Sequence, residues 1–213
     1  MGEDAQKSGD LPQGDGAADP QALGELFDRH RERLRLMVHL RLDRRLRGRV
    51  DASDVLQEAY VEALERFADF LQDRPMPFFL WLRFITEQRL QIAHRRHLGT
   101  KARDAGRDIS LGHQAFPPVS SESLAAQLVG KHSSPSQAAM RAETQARLHA
   151  ALETMNPIDR EILALRHFEQ LTNSETAQVL GLREDAASQR YGRALVRLKD
   201  MLTSLPGFGE SNA

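Results

Sequence analysis

The sequence predicts an all-α chain built as two small helical domains joined by a flexible linker. Three observations carry this. No stretch alternates apolar and polar residues over the length of a strand. Apolar residues instead recur every three or four positions within two blocks. Between those blocks, residues 109–140 hold one acid and one base, the pair Pro117-Pro118 and several serines, which is linker composition.

Residues 1–20 contain four glycines, two prolines, five acids and one lysine, without an apolar period. They are expected to form a disordered acidic tail. The first domain is expected over 21–103. Leu23, Leu26, Phe27, Leu34, Val38, Leu42 and Leu46 recur at helical spacing, and Gly48 ends the run. Asp51 then offers an N-cap. Leu56, Tyr60, Ala63, Leu64, Phe67 and Leu71 form the stripe of the following helix. Pro75 and Pro77 break the chain. A third helix runs from Pro77 to about His97, with Phe78, Trp81, Ile85 and Ile92 on one side.

The linker is placed at 104–134, with Ser123 to Val129 as a candidate short helix. The second domain is expected over 135–205 as four helices, and 206–213 as a frayed end. Ser134-Pro135 and Asn156-Pro157 each set a capping oxygen before a proline at the first helical position. Asp159 and Glu161 follow where a helix dipole favours acids. Thr172-Asn173-Ser174-Glu175 reads as a capping box. A short helix ends at Leu180, Gly181 supplies the turn, and a longer helix runs from about Glu184 to Met201. That is helix-turn-helix spacing.

Charge separates the helices more sharply than the net charge of −1 suggests. From Ala186 to Lys199 there are four basic residues and no acid. Ala187, Tyr191, Ala194, Leu195 and Leu198 are expected to face inward. Arg190, Arg193 and Arg197 share another face, with Ser188 and Gln189 beside them. A helix of this kind fits the DNA major groove, with arginines on guanines or phosphates. In the first domain Asp54, Gln57 and Glu58 share one polar face, which Glu62 and Glu65 extend. That face suits a basic protein partner or plain solvent. From Arg83 to Arg107 the sign reverses, with seven basic residues and two acids. The start of that segment is aromatic at Phe78, Phe79, Trp81 and Phe84. Aromatic faces can stack on unpaired bases while basic residues follow the strand's backbone. Trp81 fits a core position better, because Ile85 and Ile92 continue its stripe. Arg95 and Arg96 suit phosphates.

These motifs, in this order, resemble a bacterial RNA polymerase sigma factor of the extracytoplasmic function (ECF) type. Leu171 to Leu182 (LTNSETAQVLGL), with Arg190 and Arg193 to Leu198 (RALVRL), resembles the family's region 4. Leu152 to Phe168 fits the start of that region. DASDVLQE at 51–58 resembles the polymerase-binding helix of region 2, and Trp81-Leu82 through Arg95-Arg96 resembles its promoter-melting helix. The resemblance covers roughly 23–103 and 135–202.

It implies a protein that binds core RNA polymerase, through the β′ and β subunits, and directs promoter-specific transcription initiation. Asp54, Gln57 and Glu58 would dock on the β′ clamp helices. Gln88, Arg95 and Arg96 would contact the −10 element, helped by the loop Gln72 to Pro77. Ser188, Gln189, Arg190, Arg193 and Arg197 would read the −35 element as duplex. The linker would run toward the active-site cleft or RNA exit channel. An anti-sigma protein is a further implied partner. The sequence departs from the family at four points. Gln88 stands where many members have Asn, and Ile92 where many have Asp. Arg183 replaces a small hydroxyl cap, leaving Asp185 as the candidate cap. Gly192 removes a side chain from the DNA-facing helix and costs that helix about 1 kcal/mol against alanine.

Other classes find little support. With no cysteine there is no disulfide, thiol nucleophile or cysteine-held zinc. No GxxxxGK loop occurs. His94 and His97 lack a third ligand, so neither a metal nor a cofactor is expected. No nucleophile–base pattern names an enzyme. The longest fully apolar run, Phe78 to Leu82, cannot span a bilayer, and the acidic N-terminus resembles no targeting peptide. The expectation is a cytoplasmic protein without membrane insertion. The competing reading is an autonomous helix-turn-helix regulator acting without polymerase, but no heptad helix is present to dimerise it.

Overall fold

The computed structural model describes residues 19–98, 117–130 and 138–204. The expected acidic tail before Asp19, the Ser134-Pro135 cap and the frayed end lie outside the described residues. So do residues 99–116 and 131–137 of the expected linker and its borders. Eight α-helices and no strand occur among the described residues, and the chain divides into two compact units at Pro117/Pro118.

The first unit is a bundle of α1 (Pro20–Arg41), α2 (Ala52–Asp73) and α3 (Phe78–Leu98), each packed on the other two. Asp19 caps α1 by accepting from the Gln21 amide at 2.9 Å, and Pro20 takes the first turn. Leu23, Leu26, Phe27, Leu34, Met37 and Val38 are buried along its inner face. The apolar run does not continue as one helix to Leu46. The backbone turns extended at Leu42. Asp43 then caps a short 3₁₀ turn, Arg44–Leu46, through the Arg45 amide. Leu46 is still buried, so the apolar spacing survived while the helix did not.

Asp51 caps α2 as expected, accepting from the Ser53 amide at 2.8 Å. Arg74 ends α2 in the left-handed region at φ 40°. Pro75 and Pro77 separate it from α3. Phe67, Phe70, Phe78 and Trp81 close the core between these helices. Trp81 stacks on Phe70 at 4.4 Å between centroids and is buried, as its stripe predicted.

The second unit comprises α4 (Ser121–Val129), α5 (Ala138–Glu153), α6 (Pro157–Leu163), α7 (Asn173–Leu180) and α8 (Glu184–Thr203). α4 lies within the stretch expected as linker, yet it buries Leu124 and Ala125 and packs on α5. Ser120 caps it, and the Val119 amide donates to the Glu161 carboxylate of α6. Asn156 caps α6, with Pro157 at its first position. α6 widens into a single π turn, Ala164–Phe168, where the Glu169 amide reaches back to Ala164 O. α8 touches α5, α6 and α7 and is the hub of the unit.

Thr172 and Glu175 form the complete capping box of α7. Thr172 Oγ1 accepts from the Glu175 amide, and the Glu175 carboxylate accepts from the Thr172 amide at 2.8 Å. Thr172→Ala removes one of these bonds and is expected to cost the second unit about 0.5–2 kcal/mol. Urea unfolding followed by helical circular dichroism checks this, with Thr172→Ser expected to recover most of the loss.

Candidate nucleic-acid and protein interfaces

Gly181 adopts the left-handed conformation, φ 63°, and its amide closes α7 onto Ala177 and Gln178. The Leu182 amide returns to Ala177 O, and Asn173 Nδ2 donates to Glu184 O at 2.9 Å. These bonds fix the angle at which α8 leaves the turn. Ala187, Ala194 and Leu198 form its buried stripe. The stripe is narrower than expected. Leu195 is 40% exposed and Val196 more so. Tyr191 stays partly exposed, with the Arg166 guanidinium over its ring. Leu195 lies one position, about 100°, past Ala194 and so turns off the buried line.

Outward, Ser188, Gln189, Gly192, Arg193 and Arg197 are all exposed. Arg197 Nη2 also donates to Thr154 O at 3.2 Å. Arg190 separates from this group. Its guanidinium pairs with Asp159 at 2.8 Å, with 30% and 18% of the two side chains exposed. The pair ties α8 to α6. Asp185 is not the cap foreseen for α8. No side-chain bond caps Arg183, which instead pairs with Asp185 at 3.3 Å.

On α2, Asp54, Gln57 and Glu58 are exposed together, opposite the buried Val55, Leu56 and Ala59. Glu58 pairs with Arg96 of α3 at 3.3 Å. Two site residues assigned to different partners therefore touch. Glu62 does not extend the acidic face. It is buried and takes two guanidiniums, Arg66 at 2.6 Å and Arg89 from α3. Its spacing to Arg66 made an i,i+4 pair visible in the sequence; Arg89 could be found only from the packing.

On α3, Arg95 and Arg96 are exposed and Gln88 is partly exposed. Of the four aromatics at its start, Phe84 alone reaches solvent, while Phe78, Phe79 and Trp81 are core. Arg83, counted among the basic residues of this segment, is buried against Glu87. His94 accepts from the Asp43 amide through Nε2. Burial pushes its pKa below the ordinary histidine value, against the pull of Asp43. Asp43 itself is lowered to about 2, chiefly by its hydrogen bond from Arg45. Among the described residues no group of three or more acids and histidines could hold a metal ion, and no helix is long and apolar enough to cross a membrane.

The family described as Sigma-70, region 4 matches residues 145–198, the stretch from α5 through α8. The chain is also 31% identical over 191 residues to the ECF RNA polymerase sigma factor SigD of Mycobacterium tuberculosis, across 88% of this chain and 80% of that one. The chain belongs to the ECF sigma factor family. A shorter match, 38% over 53 residues, links it to the RNA polymerase sigma-E factor of Streptomyces avermitilis, over 25% of this chain and 30% of that one. Its fold resembles CnrH, solved in complex with the cytosolic domain of CnrY, with TM-score 0.50 and 22% identity over 87% and 90% of the two chains. This ECF sigma factor binds core RNA polymerase and directs promoter-specific transcription initiation. The relatives do not favour a regulator acting without polymerase. Sigma factors as a family are not catalytic.

Proposed function

We propose a division of labour among three helical faces of this sigma factor. The exposed acidic face of α2, Asp54, Gln57 and Glu58, docks on basic residues of the polymerase β′ subunit. The exposed part of α3, Gln88, Arg95 and Arg96, engages the opened −10 strand. The outward face of α8 reads the −35 duplex with Ser188, Gln189, Arg193 and Arg197. Arg190 supports α8 through Asp159 rather than leading the contact. The observation that carries the reading is α8. It follows a capped helix and a left-handed Gly181 turn, and it presents exposed polar and basic side chains opposite a buried stripe. Side chains so placed can form bidentate bonds to guanine or pair with phosphates.

The protein itself makes and breaks no bonds, and it acts in the cytoplasm where polymerase works. An anti-sigma protein is a natural further partner, since the structural neighbour CnrH was solved with the cytosolic domain of CnrY. Co-purification with core polymerase, then run-off transcription of genomic DNA with 5′-end mapping, tests the whole reading. The expected result is a small set of start sites sharing two upstream elements. Start sites no different from those of core enzyme alone would reject it.

Arg193→Ala is expected to cost holoenzyme binding about 1–3 kcal/mol at one base pair of the −35 duplex. Matched and base-substituted duplexes at several salt concentrations check this. A uniform loss, with a salt slope reduced by about one unit, assigns Arg193 to phosphate instead. Arg190→Ala is expected to lower the melting temperature of the second unit, with little dependence on base.

A further inference from the structure

Two neighbouring residues on the outward face of α8 break the rules of a surface helix. Gly192 lies inside α8, where glycine is worse than any residue but proline. Nothing in the fold asks for it. Its backbone is helical rather than left-handed, and an added Cβ would meet no atom within 4 Å among the described residues. Val196 stands one turn on and is 62% exposed. At about 100° per residue it lies roughly 200° from both Ala194 and Leu198, so it points directly away from the buried stripe. A valine there gains nothing from folding, and it is a modest helix former. Such departures are expected where a face is covered in use rather than in the free protein.

The neighbours of the pair say what covers it. An open concavity on this face is lined by Gln189, Gly192, Arg193, Val196, Arg197 and Asp200. Gln189, Gly192, Arg193 and Val196 stand at i, i+3, i+4 and i+7, a spacing with which a helix in the major groove reaches successive bases. Arg193 and Arg197 beside Val196 favour a phosphate-bearing partner over an apolar protein helix. Asp200 comes a further turn on, where a straight helix leaves the curved groove. On the major-groove base edges the one apolar group is the C5-methyl of thymine. From this we infer that Gly192 and Val196 form a notch for a thymine methyl, and that Val196 is a specificity-determining residue for one base pair of the −35 element. The missing side chain at 192 lets the duplex come close to α8, and the valine methyls meet the base methyl. The inference rests on the proposal that α8 reads the −35 duplex.

The test uses holoenzyme reconstituted with the full chain. The probes are −35 duplexes from a mapped promoter, with each base pair set in turn to T·A and A·T, and each such thymine then replaced by deoxyuridine. The replacement removes the methyl and nothing else. Wild type is expected to bind one deoxyuridine duplex about fourfold more weakly than its thymine parent, the worth of one buried carbon group. Val196→Ser removes both valine methyls at an exposed site with little change in helix preference, and should bind those two duplexes equally. Gly192→Ala should raise the melting temperature of the second unit and yet weaken the thymine duplex severalfold. A purely structural role for residue 192 would not move stability and binding in opposite directions.

If wild type discriminates no base pair of the −35 duplex, the reading of α8 as the DNA-reading helix fails, and the inference fails with it. If bases are discriminated but no thymine-to-uracil change matters, α8 reads DNA and the notch is overturned. A methyl effect that persists in full in Val196→Ser overturns it too, as does a Gly192→Ala variant that binds the thymine duplex as tightly as wild type.

Discussion

Glu87→Ala is expected to destabilise the first unit by about 3–5 kcal/mol, the cost of breaking a buried ion pair by removing one member. Arg83 and Glu87 stand one turn apart on α3, 2.6 Å from each other, with 4% and 3% of their side chains exposed. The paired replacement, Arg83→Met with Glu87→Leu, removes both charges, keeps most of the volume, and is expected to cost far less or nothing. Trp81 is the single tryptophan and stacks on Phe70 within the same unit. Its fluorescence therefore reports the unfolding of this unit without a label. A Glu87→Ala loss below 1 kcal/mol would mean that water reaches the pair and that it adds little.

The same pair marks the limit of what the sequence could tell. Local features were legible. Asp51, Asn156, the Thr172/Glu175 box and Gly181 act within four residues of themselves, and each sits where its chemistry predicted. The helices and the inward placing of Trp81 followed from apolar spacing. The fate of individual charges was not legible. Arg83 belongs to a segment that tallies as basic and Glu62 to a face that tallies as acidic, yet both are buried in ion pairs. Arg190, expected on DNA, also has a partner in Asp159. Asp159 is 31 residues from Arg190, and Arg89 is 27 from Glu62. Charge tallies along one helix cannot register partners on another. α4, expected only as a candidate short helix over Ser123 to Val129 within the linker, is a related case. Its small and polar residues carry a weak period, and its burial is set by the surface of α5 that receives it. The π turn after α6 and the break at Leu42 likewise leave the spacing of apolar residues almost intact.

The second large effect is expected from Asp54→Lys with Glu58→Lys, which should weaken binding to core polymerase by a hundredfold or more while the chain stays folded. Both side chains are exposed in the protein alone, so neither substitution opens a cavity. Asp54 lies in the first turn of α2, where an acid favours the helix dipole. Reversing it costs the helix about 0.3–1 kcal/mol. Glu58→Lys also loses the Arg96 pair, whose partners are 43% and 60% exposed, and exposed pairs contribute little. Binding differs from folding here, because a basic partner surface meets two cations where it met two anions. Like-charge contacts across an interface cost several kcal/mol, and each 1.4 kcal/mol is tenfold in affinity. The sign of the salt response supplies a second readout. Wild-type affinity should fall as salt rises, whereas the double variant should lose less or gain as its repulsion is screened. Glu143→Lys with Glu153→Lys makes the same change in net charge on exposed positions of α5 and is the control. A folded Asp54/Glu58 variant that binds core polymerase as tightly as this control would remove the α2 face from the docking surface.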